Sequence, residues 1–307
     1  METPKQTDFH TPVLLEKVIS YLNVRPGRKY IDATIGGGGH SSAILNKGGI
    51  VLGIDMDPES VNHVRQLLAA KSQTPISKCQ IIKGNFRNLG EIARRHHFTQ
   101  VDGILFDLGM STWQIKHSNR GFTFMKDEPL DMRMDPSLTV TAADLVNGLT
   151  EKELTKLFKT YGNDPNAQRI AHNIVCARQL KAIKTTRQLA EIVKRSKRQT
   201  EKKKIHPATL AFQALRIAVN NEINNLKTAL EQTISLLNPK GRIVVISFHS
   251  LEDKTAKHFF KQETKRGNLK ILTKKPVQPS MQEITDNPSA RSARLRAAEK
   301  INHAAET

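Results

Sequence analysis

Apolar residues follow two alternating spacings over the first third of the chain. Short apolar runs followed by glycine or polar residues predict β-strands at 29–34, 49–57, 79–86 and 101–109. Intervening segments such as 60–71 place apolar residues three and four positions apart, as an amphipathic helix does. Alternating strands and helices are typical of parallel βαβ units, so the pattern predicts an α/β fold with a doubly wound, mostly parallel sheet.

The alternation stops after the fourth predicted strand. Only helical spacing occurs from about 115 to 205, and an apolar stripe then predicts one long helix over 206–237. The α/β pattern resumes with a buried strand predicted at 241–250. We therefore predict a sheet domain formed by 1–114 and 206–307, with an all-helical domain inserted at 115–205.

Basic residues outnumber acidic ones, and their distribution indicates a partner. The 48 Lys and Arg residues against 29 Asp and Glu residues give a net charge of +19, which is typical of proteins that bind nucleic acid or anionic membranes. Two clusters stand out, KRSKRQTEKKK at 194–204 and ARSARLRAAEK at 290–300. Two such runs flanking an α/β core favour contact with a phosphate backbone.

Other features of the sequence bear on the compartment of the protein. The first residues lack the apolar core of a signal peptide, and the longest aliphatic runs are too short to cross a bilayer. The two cysteines, Cys79 and Cys176, lie far apart with neither a CxxC motif nor a histidine cluster, so neither a disulfide nor a zinc site is expected. The sequence thus predicts a soluble cytoplasmic protein with no membrane partner and no metal.

The stretch DATIGGGGHSS at 32–42 joins the first predicted strand to a helix through four glycines. Glycine in such a turn permits positive φ angles and a close approach of the backbone to a ligand. A dinucleotide-binding turn would have a third glycine where Ser41 stands, counted from Gly36. Asp55, at the end of the second strand, suits the ribose hydroxyls of either a dinucleotide or S-adenosyl-L-methionine.

Two further acids favour S-adenosyl-L-methionine over a dinucleotide. This methyl donor has an amino group, a carboxylate and a sulfonium but no pyrophosphate, so it needs acceptors near the glycine turn. Asp32 precedes the turn, and Asp107 ends the fourth strand, at the edge where open sheets bind ligands. A cap on the following turn is the alternative role for Asp107.

Nine motifs occur in one order along the chain: HTPVLLEKV, DATIGGGGHS, GIDMDP, FDLGMSTWQ, RGFTF, PLDMRMD, IHPATLAFQALRIAVNNE, VISFHSLED and ARSARLRAAEK. Together they resemble the ribosomal RNA small subunit methyltransferase H family, the bacterial N4-cytidine methyltransferases, over about residues 10–300. The resemblance implies a class I, Rossmann-like methyltransferase fold with S-adenosyl-L-methionine as the methyl donor. It also implies that the acceptor is a cytidine in the decoding region of 16S rRNA in the small ribosomal subunit. The enzyme is expected to be a monomer or a homodimer.

The resemblance also assigns residues to the donor site. The donor contacts that it implies are Gly38, Gly39, His40, Asp55, Phe86, Asp107 and Gln114. The sequence departs from the family pattern at Glu128, where DEPLDMRM replaces the usual DGPLDMRM, and at 163–168, where NDPNAQ replaces a charged stretch. Neither departure touches a donor motif.

Catalysis requires an acceptor for the hydrogens of the cytosine amine, because positive charge develops on that nitrogen. We expect Asp107 or Ser111, in DLGMS, to be this acceptor. His249 in SFHS is a second candidate, with a purely structural histidine as its alternative. The predicted RNA contacts of the insert are Lys194, Arg195, Lys197, Arg198, Lys202, Lys203 and Lys204.

Several interpretations stay open on the sequence alone. PLDMRMD at 129–135 fits either a lid over the donor or a local ion pair between Asp131 and Arg133. Asn220 and Asn221 could face the substrate or satisfy internal polar groups. A non-catalytic ribosome-assembly factor on a decayed methyltransferase fold is a second function, which the intact glycine turn and its acids oppose. A nicotinamide-dependent oxidoreductase is a third, which the missing third glycine and the basic insert oppose.

Overall fold

The computed structural model describes residues 12–70, 78–197 and 206–302, and the chain divides into two compact units, Met1–Ser111 with Ile223–Thr307 and Thr112–Glu222. The strands are β1 Lys29–Asp32, β2 Ile50–Asp55, β3 Cys79–Lys83, β4 Val101–Asp107, β5 Leu237–Ser247, β6 Leu269–Ile271 and β7 Arg294–Lys300. The helices are α1 Leu15–Leu22, α2 Gly39–Asn46, α3 Pro58–Ala70, α4 Leu89–Arg95, α5 Thr112–His117, α6 Ala142–Gly148, α7 Glu151–Gly162, α8 Ala167–Leu180, α9 Thr186–Arg195, α10 Thr209–Asn220, α11 Glu222–Leu236, α12 Ser250–Lys265 and α13 Met281–Asp286. Over these described residues, none of the helices combines the length and apolar character needed to span a bilayer.

The first unit is built on one seven-stranded sheet with the order β3-β2-β1-β4-β5-β7-β6. The first five strands in this order pair in parallel, whereas β7 runs antiparallel to β5 and β6 runs antiparallel to β7. The strand order reverses between β1 and β4, which is the position where open sheets of this kind bind ligands. The predicted doubly wound, mostly parallel sheet is confirmed.

Alternate residues of the central strands face opposite sides of the sheet and build two cores. Ile104 and Phe106 of β4 join the core that α4, α11 and α12 cover, whereas Leu105 joins the core that α1 and α2 cover. All three side chains are fully buried. Burying an apolar side chain of this size stabilises the fold by about 1.5–3 kcal/mol. Because both faces of the sheet are covered here, β4 has an unbroken apolar run at 104–106.

Most of the C-terminal basic segment, residues 294–300, is a strand, and this does not fit the second phosphate-binding cluster expected at 290–300. These residues form β7, the second strand from one edge of the sheet, and pair with β5. The Arg296 guanidinium donates to Asp253 Oδ1 at 2.6 Å, and the Lys300 ammonium donates to the carbonyls of Ile234 and Leu237. These cations hold the first unit together and are engaged by its own acceptors.

The second unit consists of helices α5 to α10, with no strand among its described residues. α7 packs against α8 and α10, and α8 packs against α9. The sequence explains where these helices begin. Thr150 and Glu153 form a capping box at the start of α7, and α6 and α9 begin in the same way. Each box satisfies two backbone N–H groups that the helix itself cannot.

The long helix predicted over 206–237 is in fact two helices. α10 ends at Asn220, Asn221 has a φ of 50°, and α11 begins at Glu222. Asparagine adopts this left-handed conformation more readily than most residues, so the chain can turn there without glycine. Because α10 packs on α6 and α7, it groups with the helical unit. The units therefore divide after Ser111 and Glu222, whereas the predicted insert ended at 205.

Candidate active site

Three carboxylates end three neighbouring strands of the sheet. Asp32 closes β1, Asp55 closes β2 and Asp107 closes β4. The three strands are adjacent and parallel, so their carboxyl ends meet at one edge, which we call the donor edge. The strand-end acids that the sequence pattern singled out are thus brought together by the fold.

The glycine turn between β1 and α2 needs glycine for two physical reasons. Gly36 and Gly38 have φ angles of 49° and 77°, in the left-handed region that side chains disfavour. At Gly39 the φ angle is ordinary, but an added Cβ would lie 2.9 Å from Pro12 Cγ. Gly38 caps α2 with no side-chain hydrogen bond, so the first N–H groups of the helix receive no acceptor from the cap.

Asp55 joins the glycine turn to the end of β2. Its Oδ2 accepts from the Gly36 N–H and its Oδ1 accepts from the Asp57 N–H, both at 2.9 Å. Burial raises the pKa of Asp55 to about 6, and the two backbone hydrogen bonds only partly oppose this rise. Above that pH the carboxylate can still accept hydrogen bonds from ligand hydroxyls, because each of its oxygens has a second lone pair.

Asp107 lies against His40, from the first turn of α2. Its Oδ2 is 3.3 Å from His40 Nε2, and the side chains of Asp107 and His40 are 12% and 6% exposed. The Asp107 N–H donates to Thr34 Oγ1 at 2.6 Å, a residue that the sequence pattern did not single out. In the described part of the chain, the buried atoms Asp107 Oδ1 and His40 Nδ1 have no hydrogen-bond partner. Because buried polar atoms are nearly always paired, this pair is incomplete without a further group.

Asp32 has a structural role beside this pair. Its carboxylate accepts from Ser41 Oγ at 2.7 Å and from the Thr34 N–H at 3.3 Å, which ties the end of β1 to the start of α2. Burial raises the pKa of Asp32, whereas the nearby His40 opposes the rise. Asp32 therefore holds the donor edge in place and keeps an acidic group next to the imidazole.

The remaining predicted site residues fall in different places. Phe86 starts a 3₁₀ turn after β3, is half-buried, and its ring lies edge-on to Phe106 with 6.0 Å between ring centroids. Ser111 is the last residue of the first unit and is half-buried. Gln114 is buried on α5 of the helical unit, where its backbone carbonyl accepts a hydrogen bond from Ser118 Oγ. Its assignment as a donor contact stays a prediction.

Sequence comparison identifies the family. The model of the MraW methylase family matches residues 7–301, nearly the whole chain. The chain belongs to the MraW methylase family.

Relatives of this MraW methylase carry a more specific name. A ribosomal RNA small subunit methyltransferase H from Thermomicrobium roseum is 47% identical over 321 residues, covering 99% of this chain and 97% of the relative. The protein of that name from Carboxydothermus hydrogenoformans is 44% identical and covers 96% of this chain and 99% of its own. A solved rRNA methylase from Streptococcus thermophilus is 11% identical, with a TM-score of 0.45 and 94% of each chain covered.

The predicted RNA contacts of this MraW methylase divide into three groups. Lys194 and Arg195 are exposed at the end of α9. The Lys197 ammonium is buried and lies 2.5 Å from both Asp164 Oδ2 and the Pro207 carbonyl, so it is engaged within the helical unit. The remaining predicted contacts lie outside the described residues: Arg198, Lys202, Lys203 and Lys204.

Asn220 holds the segment 129–135 of the MraW methylase in place. Its side-chain amide donates to the Met132 carbonyl and accepts from the Met134 N–H, both at 2.8 Å. Met132 has a φ of 63°, a conformation that bulky residues rarely adopt without such support. The ion pair expected between Asp131 and Arg133 is present at 2.7 Å. Asn220 thus satisfies internal polar groups, one of the two roles left open on the sequence.

Two more residues of interest have internal partners. Glu128, the departure from the family pattern, is buried and accepts from the Gly121 N–H at 3.0 Å. His249 caps α12, because its Nδ1 accepts from the Glu252 N–H and its Nε2 lies 3.1 Å from Glu252 Oε1. This geometry favours the structural role for His249 over the catalytic one.

Proposed function

We propose that this MraW methylase transfers a methyl group from S-adenosyl-L-methionine to N4 of a cytidine in the decoding region of 16S rRNA. Its substrate is the small ribosomal subunit or the rRNA within it, which places the protein in the cytoplasm. The curated relatives named ribosomal RNA small subunit methyltransferase H support this proposal through 42–47% identity over 95–99% of the chain. The observation that carries it is the incomplete Asp107–His40 pair at the donor edge.

The donor edge has the chemistry that S-adenosyl-L-methionine requires. The Asp55 carboxylate suits the ribose hydroxyls, and Phe86 supplies an aromatic ring for the adenine. The N–H groups of Gly39 and His40, in the first turn of α2, have no acceptor within the helix and suit the methionine carboxylate. Buried Asp107 Oδ1 offers an acceptor that nothing in the described residues uses. When bound, S-adenosyl-L-methionine supplies a methyl group on a positively charged sulfur, with a neutral thioether as leaving group.

Asp107 is assigned as the acceptor for the hydrogens of the cytosine amine. The lone pair of this amine is delocalised into the ring, so the nitrogen is a poor nucleophile until an acceptor stabilises the positive charge that develops on it. Asp107 Oδ1 is buried and unpaired, while Oδ2 faces His40. His40 acts as a positioning residue, because its imidazole lies 3.3 Å from Asp107 Oδ2 and orients the carboxylate. Ser111 is the alternative acceptor.

The fold contributes alignment and RNA binding. The nitrogen, the methyl carbon and the sulfur must lie in line, and holding them so is worth up to about 7–11 kcal/mol. The cytosine must also leave its stack to reach the donor edge. We assign phosphate contacts to the exposed Lys194 and Arg195 and to the basic residues that follow Lys197, at 198 and 202–204.

The experiment that tests this function is methyl transfer from labelled S-adenosyl-L-methionine to small subunits that lack the modification, followed by mass analysis of the nucleosides. The expected product is N4-methylcytidine with the wild-type protein and none with Asp107→Ala. The assembly-factor interpretation would replace the proposal if the protein binds the donor but methylates neither subunits, naked rRNA nor assembly intermediates.

A further inference from the structure

A second concave surface lies at the opposite edge of the same sheet. A cavity of about 480 Å³ opens near the starts of β1 and β4 and the first residues of β5. We call it the amino-edge pocket, and its charged lining residues are Arg25, Arg28, Asp102, Lys240, Arg242 and Glu299. All of them belong to the first unit, and none takes part in the donor edge.

The amino-edge pocket holds more positive charge than its own acids compensate. Arg242 Nε donates to Glu299 Oε2 at 2.8 Å, so these two charges neutralise each other. The side chains of Arg25, Arg28 and Lys240 have no ion-pair or hydrogen-bond partner within the ranges that the structure describes. These three cations face a single remaining carboxylate, that of Asp102.

The backbone that carries these cations is fixed by hydrogen bonds and by local conformation. The Arg25 N–H donates to the Tyr30 hydroxyl at 2.9 Å, and the Gly27 N–H donates to the Gly48 carbonyl at 2.8 Å. Lys240 has a φ of 65°, in the part of β5 where the pairing with β4 is irregular. A site whose backbone is already ordered loses less entropy when it binds a ligand.

We propose that the amino-edge pocket binds backbone phosphates of the RNA substrate, an inference that rests on the proposed function. Unpaired guanidinium and ammonium groups suit phosphate oxygens, and each arginine can bind two oxygens at once. Tyr30 is the only aromatic residue in the lining and is fully buried, so the pocket presents no ring on which a base could stack. The pocket therefore fits the RNA backbone and contributes no sequence recognition.

The position of the amino-edge pocket indicates the size of RNA that uses it. Asp102 and Asp107 lie five residues apart on β4, so the two edges are separated by about 17 Å along the strand. A single cytidine at the donor edge does not reach across this distance, whereas a folded RNA does. The amino-edge pocket would thus contribute to binding of the rRNA and not to binding of the methyl donor.

The test compares two triple variants with the same change in charge. The pocket variant carries Arg25→Gln, Arg28→Gln and Lys240→Gln, and the control carries Lys254→Gln, Lys257→Gln and Lys261→Gln on the exposed face of α12. The affinity for a 16S rRNA transcript is measured over a series of salt concentrations, and donor binding is measured by calorimetry with S-adenosylhomocysteine. For the pocket variant, rRNA affinity should fall about tenfold near 0.15 M salt, and the slope of log K against log salt should decrease by about 2. Donor affinity should be unchanged in both variants, and rRNA affinity should be unchanged in the control.

Three results would overturn the inference. Equal losses in the pocket and control variants would assign the effect to overall charge. An unchanged rRNA affinity in the pocket variant would remove the pocket from the RNA interface, and binding of inorganic phosphate that depends on Arg25 and Arg28 would then make it a small-anion site. Failure of the wild-type protein to bind both the transcript and small subunits would count against the proposed function, whereas an unchanged rRNA affinity in the pocket variant counts against the amino-edge pocket alone.

Discussion

Two histidines of the first unit contact carboxylates at similar distances, but their surroundings differ. His40 lies 3.3 Å from Asp107 and His249 lies 3.1 Å from Glu252, and none of the four side chains is more than 12% exposed. His249 Nδ1 accepts from the Glu252 N–H, and Glu252 Oε2 accepts from the Phe248 N–H. Within the described residues, neither nitrogen of His40 makes a hydrogen bond, whereas at His249 only Nε2 lacks one. The hydrogen bonds around each pair, and not the distance within it, separate a helix cap from a pair that is ready for a substrate.

Of the variants of these two pairs, Asp107→Asn should cause the largest loss of turnover. We expect turnover to fall about 100-fold or more, because an amide cannot take up a proton from the cytosine amine. Donor affinity should change less than about threefold, since the amide keeps the size and polarity of the carboxylate. Single-turnover methyl transfer and titration with S-adenosylhomocysteine measure the two quantities. Glu252→Gln, in the other pair, is the matched control and should keep its turnover.

The same variant distinguishes the two roles predicted for Asp107, a donor contact implied by the resemblance and the acceptor for the cytosine amine expected from the chemistry. Full turnover in Asp107→Asn would show that the carboxylate is not the amine acceptor and would move this role to Ser111. A parallel loss of donor affinity and turnover would assign Asp107 to the donor instead.

His40→Gln should give the next largest effect. We expect turnover to fall about tenfold, a typical effect for a positioning group that supports a catalytic acid or base. The loss should appear in the single-turnover rate and not in donor affinity, because the His40 N–H that suits the methionine carboxylate belongs to the backbone and is kept in the variant. His249→Gln should leave both quantities unchanged. An equal loss of donor affinity and rate in His40→Gln would indicate that His40 only supports the fold.

Asp55 should make both donor affinity and stability depend on pH. Burial raises its pKa to about 6, so donor affinity should fall as the pH drops through this value, by about tenfold at pH 5, because the protonated acid accepts hydrogen bonds poorly. The effect on stability has the opposite sign. The buried charge destabilises the fold above pH 6, and this penalty disappears below the ordinary pKa near 4. Calorimetric titrations between pH 5 and 8 measure the donor affinity.

Asp55→Asn is the control for this pH dependence. It should bind the donor weakly but equally at all these pH values, because the amide does not titrate in this range. A wild-type donor affinity that is constant between pH 5 and 8 would contradict the assignment of Asp55 to the ribose hydroxyls.

His249→Ala should have the smallest effect, and on stability alone. Loss of the cap on α12 should lower the free energy of unfolding by about 1 kcal/mol, while turnover stays near that of the wild type at temperatures well below the unfolding transition. Denaturant unfolding and single-turnover assays measure the two. A variant that folds normally but fails to methylate would return His249 to the list of catalytic candidates.

Much of the sheet could be predicted because the parallel strands contain short apolar runs, such as 104–106 in β4 and 243–246 in β5, that are followed by a polar residue. β7 could not be predicted in this way. Its sequence, RLRAAEK, has the composition of a basic surface segment, and it becomes a strand only because β5 pairs with it and Asp253 neutralises Arg296. The break at Asn221 was equally hidden, since the apolar stripe continues across it and only the local φ angle stops the helix.

The acids and glycines of the donor edge could be predicted from their positions at strand ends, but their pairing could not. His40 and Asp107 are far apart in sequence, and they meet because the sheet order places β4 beside β1. The same holds for Lys197, which has the sequence context of an RNA-binding lysine. Its partner Asp164 comes from the segment between α7 and α8, which the basic pattern around 197 does not indicate.

The Lys197 contact has a consequence for chain entropy. By bonding to the Pro207 carbonyl, Lys197 joins two points ten positions apart in the chain, so the entropy of bringing these two points together is lost on folding and not on RNA binding. Loop-closure entropy grows only slowly with length, by about 0.6 kcal/mol for each doubling. Related chains could therefore lengthen or shorten this segment at little cost in stability, and so adjust how far its positive charge extends without rebuilding the helices that carry it.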